Sequence, residues 1–88
     1  MESLIAVISA ADPYTRSARA IADLVVAAGF VPVGGAAHTS ADRVLLTDTV
    51  CSADPDFDDY AEYVKVPARA AAAPIVEAVF HNGWGILR

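Results

Sequence analysis

The 88-residue chain has room for one domain, and its 11 acidic residues against 6 basic ones give a net charge of −5. Phosphate backbones attract clustered Lys and Arg, but the closest basic pair here is Arg16 and Arg19, so nucleic-acid binding is not expected. The single cysteine, Cys51, rules out an internal disulfide framework and a Cys-based zinc site.

The opening Met1-Glu2-Ser3 lacks the positive region of a signal peptide. Leu24 to Ala41 carries no Asp, Glu, Lys or Arg, yet Gly29, Pro32, Gly34 and Gly35 interrupt it, which argues against a membrane span. The expectation is a cytoplasmic protein forming one compact domain over residues 1–88. The hydrophobic fraction is 56%, against a usual ~45–50%. A chain of this size buries only about 60–65% of its unfolded surface. Apolar surface should therefore be left over, and a homo-oligomer is expected to use it.

In chain order, Leu4 to Ser9 reads as a nearly continuous apolar strand. Pro13 to Ala28 reads as a helix, with Ala18, Ile21, Ala22, Val25 and Ala28 forming its core stripe and Gly29 ending it. Phe30 to Val33 is a short strand, placed at an edge because Pro32 cannot donate to a ladder. Gly34 to Asp42 is a loop leading into a third strand, Arg43 to Val50, as an antiparallel hairpin. Asp54 should cap a helix through Lys65, with Phe57, Tyr60, Ala61 and Val64 inward; the rival reading makes Tyr60 to Val66 a strand. Val66-Pro67 breaks that element. Ala68 to Asn82 forms another helix, and Trp84 to Arg88 a final strand.

The phrase Ser-Ala, then Asp-Pro, occurs twice: Ser9-Ala10-Ala11-Asp12-Pro13 and Cys51-Ser52-Ala53-Asp54-Pro55. Asp followed by Pro is a helix-start signal, because the carboxylate can cap a backbone N–H and Pro needs none at the first helical position. The order β-α-β-β-α-α-β then indicates an α+β fold, a ferredoxin-like split β-α-β with a four-stranded mixed sheet; a minimal Rossmann-like α/β sheet is the alternative.

With both corners at one sheet edge, Ser9, Asp12, Tyr14, Ser52 and Asp54 become ligand-binding candidates beside two helix N-termini. The competing account is two helix caps with no ligand. Asp56, Asp58, Asp59 and Glu62 form an acidic surface for a basic partner. They lack the Gly and Glu positions of a calcium loop, so no metal is assigned. His38 and His81 have no paired ligand at metal-binding spacing. Gly-x-Ser-x-Gly is absent, and Gly34-Gly35 lacks a dinucleotide fingerprint, so no cofactor is expected. Cys51 reads as a buried thiol, and Trp84 as a core or interface anchor.

Leu4 to Val33 is similar to the first β-α-β unit of nucleoside 2-deoxyribosyltransferase-like proteins: an apolar strand, a small-residue loop, then a helix ending in Gly29-Phe30 before a short strand. Glu77, with Gly85 further on, is loosely similar to their later Glu-bearing helix and following strand. The likeness spans about a third of the chain, on motifs shared by small α/β proteins. It implies a nucleoside or nucleotide pocket with Glu77 as the candidate nucleophile.

The leading expectation is a non-enzymatic interaction module that self-associates, through edge strands Phe30 to Val33 and Trp84 to Leu87. The alternatives are the nucleoside enzyme and a phage-type accessory factor that binds a basic host protein through the acidic helix Asp54 to Glu62.

Overall fold

The computed structural model describes residues 2–12, 17–34 and 38–86. Four α-helices and one two-stranded antiparallel sheet make up the described fold: α1 (Glu2–Ala11), α2 (Ala18–Ala27), β1 (Phe30–Pro32), α3 (Ser40–Cys51), α4 (Glu62–His81) and β2 (Trp84–Ile86). This overturns both the ferredoxin-like and the Rossmann-like expectation, each of which needs a larger sheet.

The first correction is at Leu4 to Ser9, which is helical. A continuous apolar run has the same composition in a buried strand and in a buried helix. Here the burial follows the helical spacing: Leu4 and Ile8, four residues apart, are both fully buried, while Ala6, Ser9 and Ala10 are exposed. The likeness of residues 4–33 to a β-α-β unit loses its first strand with this.

The second correction is at Arg43 to Val50, which lies within α3. Its start is a reciprocal cap. Thr39 Oγ1 accepts from the Asp42 N–H at 3.1 Å, and Asp42 Oδ2 accepts from the Thr39 N–H at 3.1 Å. The box Thr-x-x-Asp thus satisfies two backbone donors that a helix start leaves over. It also explains why Asp42 is buried at 3% exposure. The β-branched content that points to a strand is absorbed locally: the Thr47 and Thr49 hydroxyls donate to the Arg43 and Leu45 carbonyls.

The third correction concerns the Asp-Pro corners. The Asp12 N–H continues the α1 ladder to the Ile8 carbonyl, and the position before α2 is held by Ser17 without a side-chain cap. Pro13, Tyr14 and Arg16 lie outside the described residues, as do Gly35, Leu87 and Arg88. At the second corner the Phe57 N–H donates to the Asp54 carbonyl at 3.1 Å and the Asp56 N–H to Asp54 Oδ1 at 3.0 Å. Asp at the first place and Pro at the second suit a β-turn as well as a helix cap. The turn feeds a single 3-10 turn, Phe57–Asp59, and α4 begins only at Glu62.

α4 then runs unbroken through Pro67 and Pro74. Proline removes a ladder donor and crowds the preceding turn, at about 3 kcal/mol in an ordinary helix interior. Both prolines sit on the exposed side, and the alanines between them are strong helix formers. The opposite side buries Ala72, Ile75, Val76 and Val79 in the core, with α1 and α3 packed beside the helix. That packing overrides the stop signal at Val66-Pro67.

α2 carries the expected stripe, with Ile21, Ala22 and Val25 buried. Gly29 follows at φ +102°, a backbone region that L side chains rarely adopt. A Cβ there would meet Ile86 Cδ1 at an ordinary 3.8 Å, so Gly29→Ala costs conformational energy rather than space. We expect a loss of about 1–2 kcal/mol, read as a lowered urea midpoint; an unchanged midpoint would contradict the strain argument. Beyond the glycine, β1 pairs with β2 in the register Phe30↔Ile86, Val31↔Gly85, Pro32↔Trp84. The expected hairpin with Arg43 to Val50 is replaced by this closure between distant parts of the chain.

Candidate functional site

The expected site residues fall into three places. Asp12 and Asp54, from the two Asp-Pro corners, line one cavity of about 240 Å³ together with Cys51, Phe57 and the apolar side chains Ile21, Val50 and Ile75. Ser9 and Ser52 are exposed, and the Ser52 hydroxyl donates to the Thr49 carbonyl. Tyr14 lies outside the described residues. Cys51 is buried, and burial raises its thiol pKa, with the Asp48 charge adding to the rise. It is a weak nucleophile in that setting.

The Tyr60 hydroxyl donates to Asp54 Oδ2 at 2.6 Å. This bond, then the one from the Asp56 N–H, holds the Asp54 carboxyl below its ordinary value, and the same carboxylate raises the Tyr60 phenol. The Asp54 contribution to stability is present above the unfolded carboxyl pKa and lost as pH falls through the folded value. The Tyr60 contribution is present below the unfolded phenol pKa and lost as pH rises through the folded value. Tyr60→Phe is therefore expected to lower the urea midpoint at neutral pH and to match the parent in acid, below the carboxylate range. A difference that persists unchanged in acid would contradict the assignment.

The second place is the loop end and the tip of α4. The His38 ring stacks on Phe80 at 3.9 Å and 4°. Arg43 pairs with the Glu77 carboxylate, its Nη2 lies 3.1 Å from His38 Nε2, and its guanidinium covers the Phe80 ring. Arginine only donates, so that imidazole nitrogen accepts. The hydrogen bond from Arg43, helped by its charge, holds the Glu77 carboxyl low. Glu77 is exposed, committed to Arg43 and lines neither cavity described here. The cluster fastens His38 to α3 and α4.

The third place is the outward side of α4 and the groove beside it. The groove, about 440 Å³, lies between α3 and α4 and is lined by Arg43, Val44, Thr47, Asp48 and Arg69. Arg69 reaches Asp48 at 3.7 Å and Glu62 at 3.5 Å, loose surface pairs worth little. Lys65 and Arg69 both sit over the Phe57 ring. Along the solvent side of α4 run Tyr63, Val66, Pro67, Ala70, Ala73 and Pro74, every one exposed. Tyr63 is 82% and Val66 61% exposed, and Val44 across the groove 60%. Glu77 and His81 close the stripe.

Comparison with known proteins adds nothing. No family model matches the chain, and no curated protein or solved structure is significantly similar to it. Among the described residues no three His, Cys, Asp or Glu side chains are placed to hold a metal ion, and no helix is long and apolar enough to cross a membrane.

Asp56, Asp58, Asp59 and Glu62 are all exposed, but they belong to a turn, a 3-10 segment and the first residue of α4 rather than to one helix face. Trp84 is buried at 9% exposure and Phe30 is fully buried, so the edge strands offer their backbone but little side-chain anchor. The uncharged side of α4 went unseen in the sequence because a break at Pro67 divides the very spacing, 63, 66, 67, 70, 73, 74, that displays it.

Proposed function

We propose that this protein is a non-enzymatic helical interaction module that pairs with a second copy through the outward side of α4. The observation that carries this is the stripe from Tyr63 to Pro74, solvent-facing and without a charged side chain. A helix side that stays in water ordinarily carries polar and charged residues, while its apolar stripe faces the core. α4 has a buried apolar stripe and an exposed one. Ala70 and Ala73 leave room for a facing helix to approach toward the short end of the ~8–10 Å range of interaxial distances. Tyr63 and Val66 add the larger apolar area.

The interface is one helix side plus the adjoining groove, at the small end of specific interfaces, so pairing in the micromolar range or weaker is expected. Sedimentation equilibrium over a series from micromolar to near-millimolar chain should show a monomer passing to a dimer. A strict monomer throughout would overturn the proposal.

A further inference from the structure

We propose that His38 is a proton-operated latch: neutral, it holds the chain ahead of α3 against α4, and charged, it lets go. The closed geometry admits only one form of the ring. His38 lies flat on Phe80, with centroids 3.9 Å apart and planes at 4°, and Arg43 Nη2 is 3.1 Å from its Nε2. A guanidinium has no acceptor and keeps its protons at any working pH, so Nε2 must offer a lone pair and the ring proton must sit on Nδ1. Protonation puts a second N–H where the lone pair was. Donor then faces donor, and two cations meet at the spacing of a hydrogen bond.

The surrounding groups decide which contact yields. On α3 they are Arg43 and Asp42, whose Oδ2 accepts from the Thr39 N–H. On α4 they are Glu77 and His81. β1 and β2 carry no titratable side chain over Phe30–Pro32 and Trp84–Ile86. Arg43 reaches Glu77 with a hydrogen bond, whereas His38 acts on it only through charge. The Arg43 bond holds the Glu77 carboxyl low, so Glu77 stays charged across the range of about pH 5 to 8 in which imidazoles change charge. Arg43 therefore keeps Glu77 when His38 is charged, and the His38 contact is the one that breaks. Attraction of an imidazolium to the Phe80 face opposes release, but the Arg43 guanidinium already lies over that ring. Opening uncovers a face of Phe80 and frees an Arg43 N–H beside the groove between α3 and α4.

Nuclear magnetic resonance of the imidazoles in the full chain tests the latch, with His81→Gln used to assign the His38 signals. At about pH 8 His38 should show an unprotonated Nε2 and ring protons shifted upfield by Phe80. On titration to about pH 5 the upfield shift should be lost as Nε2 gains its proton. Arg43→Met removes the donor and keeps an apolar stem. In that variant the ring should stay on Phe80, with its upfield shift retained through the titration. A proton on Nε2 at the alkaline end, or no upfield shift there, would overturn the latch. So would an upfield shift in the parent chain that survives charging of the ring. Release in Arg43→Met equal to that in the parent would show that Arg43 does not drive the opening, and the proposal would fall.

Discussion

Val66→Glu is expected to leave the protein a monomer at every concentration at which the parent chain pairs, with its helix content unchanged. Val66 is 61% exposed and belongs to no part of the core. In the monomer the new carboxylate stays in water, and surface changes of this kind shift stability by only about 0.5 kcal/mol or less. In the pair it is carried against an apolar helix side. Desolvating one unpaired charge there costs about 3 kcal/mol or more, which weakens association upward of ~100-fold. Sedimentation equilibrium gives the mass, and circular dichroism checks that the fold is intact. Val66→Ala is the milder control and should weaken pairing without abolishing it. A variant that pairs as well as the parent would remove the outward side of α4 from consideration.

Phe30→Ala is expected to remove a large share of the chain's stability at room temperature. Phe30 is the largest fully buried side chain among the described residues and opens β1 directly after the Gly29 turn. Its ring meets Phe80 edge-on, with centroids 6.2 Å apart and planes at 63°. Deleting a buried Phe ring costs about 3–5 kcal/mol, the transfer loss and the remaining cavity together. A chain of 88 residues, at about 0.05–0.15 kcal/mol per residue, has only ~4–13 kcal/mol in total. The ring also joins two distant parts of the chain, because β1 pairs with β2 and Phe80 lies on the last turn of α4. A urea melt should show a midpoint far below that of the parent. A midpoint close to that of the parent would mean that the core is centred elsewhere.

These two variants separate the roles of two regions. Phe30 and Phe80 belong to the core and its fastening, where His38 and Arg43 cover the Phe80 ring. Tyr63 and Val66 are exposed and stand outside the core, which is why the pairing is proposed there. Glu77 stands at the border: it pairs with Arg43 within the chain and ends the exposed stripe, a position that suits a carboxylate at the rim of a contact better than a nucleophile in a pocket.

Local sequence by itself determined α2, its inward stripe and its stop at Gly29, because the apolar spacing and the need for a positive φ are properties of a few neighbouring residues. It also determined the two short strands around Phe30 and Trp84, though not that they pair with each other. The recurrence of Asp-Pro misled, because neither Asp caps a helix: Asp12 follows the end of α1 and Asp54 opens a β-turn, although both line one cavity. Only the tertiary structure decided that Leu4 to Ser9 and Arg43 to Val50 coil instead of extending. An apolar run satisfies a sheet or a helix bundle equally until something packs against it, and here α4 does. The same packing carries α4 past Pro67 and Pro74, since the burial of Ala72, Ile75, Val76 and Val79 on one side offsets two missing backbone donors on the other. The exposed stripe exists only because that helix is continuous, so the surface proposed for pairing is a product of the fold and not of any local signal.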